Sequence, residues 1–291
     1  MVLESLVGPK AAESKAWFMF FIGFLYATVG LFLSVWVFKD QASIVMILLT
    51  VIACLPLMYR TLKYEEHKDI VIKKELTLLK EHGKALEFFI FMFMGFVVAF
   101  SLWFVVLPDN TVQGVYASQL STIGAINGGV SGHAIEDTTA YASQQSSFFL
   151  QIFVNNMKVL LFCLFFSFFY GAGSIFILAW NASVISVAVG TFVRNNISSI
   201  ASQVGLIKVG GYLHIFSLGL LRYAIHGIPE ILAYFIGGLA GGIISIAVIR
   251  HDFGTKTFKK IIFDSFDLIL LAVAVLFIAG LLEVYVTPLF F

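Results

Sequence analysis

The residues best suited to chemistry form the segment His226-Gly227-Ile228-Pro229-Glu230. Residues four positions apart share one face of a helix, so His226 and Glu230 would project to the same side. Pro229 is tolerated in the first turn of a helix, and a Glu there complements the positive end of the helix dipole. The segment therefore predicts the N-terminal end of a helix that carries an ionisable pair.

Three roles are compatible with this pair. Polar groups in membrane helical bundles often serve as packing contacts, and this structural role is the most common one. An ionisable residue at membrane depth also suggests ion or proton handling, or contact with a partner protein. A zinc protease is disfavoured because the HExxH pattern is absent. We predict a polar site at His226, Gly227, Pro229 and Glu230, without a metal or another cofactor.

Further polar and small residues flank the neighbouring apolar runs. Asn155 and Asn156 precede one run and Asn181 follows it. Asn at a membrane boundary caps helix ends or bonds across helices, so these three residues join the candidate polar site. After Glu230, a small-residue pattern allows close helix approach, either within the chain or across a homodimer. Its members are Gly237, Gly238, Gly241 and Gly242.

The composition indicates a chain that lies largely in lipid. Of its 291 residues, 60% are hydrophobic and 12% are charged, whereas soluble domains carry about 25% charged residues. The apolar runs are continuous rather than alternating, which favours spanning helices over a barrel. The net charge of +1 gives no reason to expect nucleic-acid binding. Cys54 and Cys163 lie in apolar runs, which disfavours a disulfide framework.

About seven membrane crossings follow from these runs, since a spanning helix needs about 20 apolar residues. Six are well supported, at 17–38, 42–59, 88–107, 157–180, 231–249 and 268–286. A seventh, 182–202, rests mainly on two arguments. Lys and Arg are enriched in cytoplasmic loops, and one more crossing is needed to place both basic segments of the chain on the cytoplasmic side. Residues 206–225 form a shorter run, broken by Gly210-Gly211, which predicts a re-entrant or interfacial segment. The predicted fold class is all-α, a polytopic transmembrane helical bundle.

Charge placement predicts the orientation of the chain. Seven Lys or Arg residues lie in 60–84 and four in 250–260, whereas 109–154 contains none. Because cytoplasmic loops are enriched in Lys and Arg, we expect a cell-membrane protein with a cytoplasmic N-terminus and an external C-terminus. Apolar residues at helical spacing in 60–84 predict a helical hairpin that extends into water, with a break at Gly83. We expect 109–154 to be an outer loop with room for short helices.

The order of these motifs resembles that of the stage II sporulation protein M family. The resemblance rests on Phe153–Lys158, on the span with Gly171-Ala172-Gly173, on Leu178–Asn181, and on the His226–Glu230 motif with its glycine-rich helix. It covers about residues 85–291, and Asn181-Ala182 stands where the family has an Asn-Gly step. It implies a transmembrane domain at 85–291, preceded at 1–84 by a transmembrane hairpin with a charged cytoplasmic helical segment.

In spore formers, the resemblance implies a membrane scaffold that recruits cell-wall hydrolases during engulfment. We expect a non-enzymatic scaffold that organises partner proteins or membrane shape, with working surfaces at 109–154 and 60–84. Its expected partners are the lipid bilayer, a second copy as a homodimer, and membrane or extracytoplasmic proteins. The alternatives are a channel or transporter with a polar site at His226 and Glu230, and an intramembrane enzyme that uses this pair as acid and base or to hold a metal.

Overall fold

The computed structural model describes residues 8–130, 140–170, 173–197, 205–250 and 253–290. Within these ranges every regular element is helical and no strand occurs. In chain order the α-helices are α1 Pro9–Ser14, α2 Phe18–Val37, α3 Ala42–Val71, α4 Glu75–Val106, α5 Asp109–Val115, α6 Ala117–Val130, α7 Ala140–Tyr170, α8 Ser174–Asn196, α9 Gly205–Ile249 and α10 Lys256–Leu281. A π-helical turn, Leu282–Val286, and a 3₁₀ turn, Thr287–Leu289, follow α10.

Seven helices in the described part of the chain are long and apolar enough to cross a membrane. They are α2, α3, α4, α7, α8, α9 and α10. Their outward side chains include large apolar residues such as Trp36, Phe165 and Phe263, which are 77%, 53% and 69% exposed. Soluble proteins rarely expose extensive apolar surface, so these faces are suited to lipid. The predicted all-α transmembrane bundle of about seven spans is confirmed, and the protein is a multi-pass membrane protein.

The charged stretch 60–84 forms the ends of α3 and α4, which meet at Ile72–Lys74. These helices have 30 and 32 residues, or lengths of about 45 and 48 Å. Both exceed the hydrocarbon core of about 30 Å, so they continue past their apolar parts, 42–59 and 88–106. The ends of α3 and α4 thus form a helical hairpin, and the predicted break is wrong because Gly83 lies inside α4. That this hairpin extends into water stays a prediction.

The predicted boundary between spans 157–180 and 182–202 is also wrong. α7 ends at Tyr170 and α8 begins at Ser174. The turn residue Gly173 packs closely against α7, since a Cβ added to it would lie 2.6 Å from the Phe166 carbonyl oxygen. Asn181 lies inside α8 and donates a hydrogen bond to the Ile177 carbonyl at 2.9 Å. A polar side chain that bonds to its own helix backbone does not need to end the helix.

The predicted re-entrant segment 206–225 does not form a separate element. It is continuous with the following span in α9, which has 45 residues and a length of about 68 Å. Pro229 lies inside this helix rather than in its first turn. Membrane helices tolerate Gly and Pro because neighbouring helices and side chains satisfy the freed backbone groups. The glycine pair Gly210-Gly211 therefore does not interrupt the helix.

The uncharged stretch 109–154 is largely helical where it is described. It contains α5, α6 and the start of α7, while residues 131–139 lie outside the described ranges. α5 and α6 fold back against the bundle: the Tyr116 hydroxyl donates to the Phe100 carbonyl at 2.8 Å, and the Gln119 amide donates to the Ser183 hydroxyl at 3.1 Å. Tyr116 and Gln119 are fully buried, so this part of the predicted working surface is internal, whereas Asp109 and Asn110 are exposed.

The small-residue pattern lies inside the bundle rather than on its surface. Its members, Gly237, Gly238, Gly241 and Gly242, are all buried. A Cβ at Gly241 would lie 2.5 Å from the Leu164 carbonyl oxygen of α7, and one at Gly242 would lie 2.5 Å from the Leu62 side chain of α3. These glycines therefore let α9 approach its neighbours closely, which matches the intramolecular interpretation of the pattern.

Candidate functional site

Glu230 lies at the centre of a polar cluster to which three elements contribute. The Tyr234 hydroxyl, one turn further along α9, donates to a Glu230 carboxyl oxygen at 2.7 Å. The Asn156 side chain of α7 and the Glu283 carboxyl are both close enough to Glu230 to interact with it electrostatically. Tyr234 is fully buried and Asn156 is 8% exposed. We call these four residues the polar cluster.

The polar cluster lies level with the middle of the apolar part of α4. Gly227 and Ile231, which flank Glu230, line the same small apolar cavity as Phe93 and Val97 of α4. The apolar part of α4 runs from residue 88 to residue 106, so Phe93 and Val97 are well away from both of its ends. Glu230 is therefore an ionisable residue within the bilayer, where such residues most often serve a function or form specific polar contacts.

His226 does not bond to Glu230, although the two are four positions apart on one helix. Its Nδ1 lies 3.2 Å from the Thr287 hydroxyl oxygen. The same hydroxyl donates its hydrogen to the Leu282 carbonyl at 3.1 Å, so it is available to His226 as an acceptor. His226 thus connects α9 with the end of the last span, and the predicted His–Glu pair becomes two separate contacts between α9 and the chain after α10.

Sequence reasoning missed two members of the polar cluster. Glu283 lies in the π-helical turn Leu282–Val286, and its carboxyl is close enough to Glu230 to interact with it electrostatically. Short π-helical turns often occur at functional sites. Tyr234 is four positions after Glu230, so helical spacing alone would have been sufficient to find it.

The other predicted site residues lie outside the polar cluster. Asn155 is exposed, in contrast to its neighbour Asn156, and Asn181 bonds to its own helix. Gly227 is buried but has room for a Cβ, and Pro229 is half-buried inside α9. In the described part of the chain, no three His, Cys, Asp or Glu side chains converge as ligands for a metal ion.

The hydrogen bonds of the polar cluster predict a graded series of stabilities. Tyr234→Phe removes one hydroxyl donor and should lower the free energy of unfolding by about 0.5–1.5 kcal/mol. Glu230→Gln keeps an acceptor for that hydroxyl, so we expect it to be milder than Glu230→Ala. Thermal unfolding in detergent checks this order, with Asn155→Ala as the exposed control. Equal stability of Glu230→Ala and the native protein would contradict a packing role.

Asn156 and Glu230, which meet in this cluster, come from the two motifs that carried the family resemblance. A family model described as Stage II sporulation protein M matches residues 85–288. The chain belongs to this family. No functionally curated protein and no solved structure matches the chain. The whole polar cluster lies within the part of this stage II sporulation protein M family member that the family model covers.

A second set of polar contacts lies at the charged end of the bundle. Lys68 donates to Glu13 of α1 at 2.9 Å and to Glu65 at 2.8 Å. The His82 ring of α4 contacts Glu65 at 2.7 Å and Asp69 at 3.2 Å. We call these five residues the ion network. Glu65, Asp69 and His82 are 0%, 1% and 2% exposed, so the network joins α1, α3 and α4 through buried charges.

Two further contacts connect this end of the bundle with α9 and α10. Arg250 donates to both carboxylate oxygens of Glu66, at 2.6 and 2.7 Å. Lys260 donates to the Ile72 carbonyl at 2.7 Å and to the Asp69 carbonyl, where α3 ends and leaves carbonyl groups without helical partners. The residues before 85 are therefore tied to the family-matched region by direct side-chain contacts.

The geometry of the ion network requires a charged His82. Both ring nitrogens face carboxylates, and a neutral imidazole carries only one N–H. Burial disfavours the charge, but hydrogen bonds to Asp69 and Glu65 outweigh it and raise the pKa of His82 to about 9. His82 lies before residue 88, beyond the apolar part of α4. The other charges near His82 are Lys68, which Glu65 and Glu13 neutralise, and Asp264 and Asp267 of α10, which line the same groove as His82.

The raised pKa of His82 predicts that stability depends on pH. A group with a higher pKa in the folded state stabilises the fold fully below its unfolded pKa, here 6.5, and loses this effect as the pH rises through the folded value. We expect the melting temperature in detergent to fall between pH 7 and pH 10. His82→Gln should show a flatter profile over the same range, and an equally steep one would contradict the assignment.

Proposed function

We propose that this stage II sporulation protein M family member is a non-enzymatic membrane scaffold that organises partner proteins or membrane shape. The observation that supports this most is the use of its buried polar groups. In the described residues, the polar cluster connects α7, α9 and the π-helical turn after α10, while the ion network connects α1, α3 and α4. Both sets of contacts hold helices in fixed positions, as a platform for partners requires.

The orientation proposed for the scaffold follows the charge rule. The ion network and the basic residues around it belong to the end with most Lys and Arg, which we assign to the cytoplasm. Labelling of single cysteines introduced at Lys73 and at Asn110 in intact cells tests this assignment. Access of a membrane-impermeant reagent to position 110 alone is the expected result, and access to position 73 alone would reverse the orientation.

The scaffold proposal is tested by capture of partners from native membranes. The full-length protein, carrying a photo-reactive residue at exposed positions such as Leu76 or Asn110, is crosslinked in cells and its adducts are identified by mass spectrometry. We expect one or a few membrane or extracytoplasmic proteins to be crosslinked reproducibly and position-dependently. Adducts that are the same at all positions, including lipid-facing Phe165, would count against a scaffold.

A channel or transporter is the second candidate function, because the polar cluster places two carboxyl groups within the bilayer. Transport requires a continuous polar path, and the described cavity beside Glu230 is lined by apolar side chains. Purified protein in liposomes is assayed for proton and alkali-ion flux with entrapped dyes. If the protein is a scaffold, liposomes with the native protein leak at the same rate as liposomes with the Asp40→Asn variant and as liposomes without protein. Flux that Glu230→Ala abolishes would establish the transporter and overturn the scaffold.

A further inference from the structure

A groove of about 250 Å³ lies between the start of α4 and the start of α10. Its walls are mainly leucine side chains, among them Leu76, Leu79 and Leu271, and its polar lining consists of His82, Asp264 and Asp267. Leu76 is 78% exposed and Leu79 is 42% exposed. The groove is thus apolar, open to the surroundings, and acidic at one side.

The groove lies at the border of the membrane. Asp267 is the last charged residue before the apolar run 268–282 of the final span. Phe263 and Phe266, on either side of Asp264, are 69% and 53% exposed, as expected for a helix surface that contacts lipid or another protein rather than water. An occupant would therefore place its apolar part in the bilayer and its polar end beside the two aspartates.

The groove has an excess of negative charge. Asp267 is exposed and has no ion-pair partner in the described part of the chain. Asp264, in contrast, is paired with Lys260, whose Nζ lies 3.6 Å from the Asp264 Oδ2 atom. The positive charge of His82 is already balanced by Glu65 and Asp69. The second carboxylate oxygen of Asp69, Oδ2, is buried and has no hydrogen-bond partner among the described residues. A cationic group would be the complementary occupant.

Membrane helices carry such a group at this depth. Lys and Arg are enriched at the cytoplasmic ends of transmembrane segments, and the groove lies at the end of the bundle that we assign to the cytoplasm. We propose that this groove binds the transmembrane helix of a partner protein through a Lys or Arg at its cytoplasmic end, next to Asp267. Leu268 and Leu271, at the start of the apolar run of the final span, would contact the apolar part of that helix. This inference rests on the proposed scaffold function and gives the class of partner.

The test uses the full-length protein in nanodiscs of phosphatidylcholine, which has no net charge. The probes are two fluorescent Leu-Ala transmembrane peptides, one ending in three Lys and the other in three Ser. Binding is measured by energy transfer to a dye on the protein. We expect the Lys peptide to bind about tenfold more tightly than the Ser peptide. Equal binding of the two peptides, or binding of neither, would overturn the proposal.

Variants locate the effect in the groove. Asp267→Asn should reduce binding of the Lys peptide to the level of the Ser peptide, and Asp267→Lys should reduce it further, while both exposed substitutions leave the melting temperature unchanged. Asp40→Asn, at the turn between α2 and α3, is the matched control and should bind both peptides normally. If Asp267→Lys still binds the Lys peptide more tightly than the Ser peptide, the peptide binds at another site and the proposal is overturned. Energy transfer between two labelled copies that excludes the peptide would identify a second copy as the occupant and overturn the proposal.

The groove and the scaffold function fail in different ways. If native crosslinked partners are retained by Asp267→Asn while the peptides show no charge preference, the groove is not their binding site and the scaffold remains. If the native protein captures no partner, the scaffold itself fails. Loss of a captured membrane partner in Asp267→Asn, but not in Asp40→Asn, supports both.

Discussion

Replacing Glu65 with Ala should lower the free energy of unfolding by about 3–5 kcal/mol. Glu65 is fully buried and is the acceptor for both Lys68 and His82. Its removal would leave two positive groups in a buried site with one carboxylate fewer to balance them. An unpaired buried charge is much more costly than the loss of an exposed ion pair, whose contribution is about 0–1 kcal/mol.

Reversible unfolding of the detergent-solubilised protein, or its melting temperature, measures this effect. The control is Lys84→Ala, which removes the exposed contact between Lys84 and Glu81 on α4 and leaves all five residues of the ion network in place. We expect the control to change stability by less than about 0.5 kcal/mol. Equal losses in the two variants would mean that the ion network is solvated and contributes little to holding α1, α3 and α4 together.

Long apolar runs predicted most of the fold. The run 17–38 corresponds to Phe18–Val37, and the run 42–59 begins where α3 begins, at Ala42. Such agreement is expected because a span must bury its backbone polar groups in helical hydrogen bonds over the full thickness of the bilayer. The number of spans follows from the same requirement, so it was confirmed even where a boundary was wrong.

Boundaries within the second half of the chain were less predictable for a physical reason. Polar and helix-breaking residues were taken as ends of helices, as they are in water. In the bundle, Asn181 bonds to the Ile177 carbonyl, and Pro229 lies inside a helix surrounded by neighbours. Since these residues find partners within the protein, they do not mark helix ends, and the turn occurs at Gly173 instead.

The candidate site was predictable in part. The motifs gave Asn156 and Glu230, but not that these two side chains meet in one cluster, since they are 74 positions apart in the chain. The ion network was not predicted at all, because the charged stretch 60–84 has the composition of a solvated hairpin. Its contacts join residues far apart in the chain: Glu13 and Lys68 are 55 positions apart, and Lys260, which donates to the Asp69 carbonyl, is 191 positions from Asp69. No local pattern encodes such a contact.

Replacing Gly241 with Ala should lower the free energy of unfolding by about 1–3 kcal/mol. The added Cβ would lie 2.5 Å from the Leu164 carbonyl oxygen. Since this neighbour is backbone, α7 and α9 would have to move apart, and the leucine and serine side chains packed between them would lose contact. Gly238 and Gly242 meet side-chain atoms instead, so Ala at those positions should be tolerated better.

Gly227→Ala is the matched control, because it makes the same chemical change in the same helix. A Cβ at Gly227 would meet no atom within 4 Å, and Ala has the higher helix propensity. We therefore expect Gly227→Ala to leave the melting temperature unchanged or to raise it, while Gly241→Ala lowers it. If both variants are equally stable, the close approach of α7 and α9 does not depend on glycine. The small-residue pattern would then be free to serve contacts between chains, because its tight fit inside the bundle is the argument against that role.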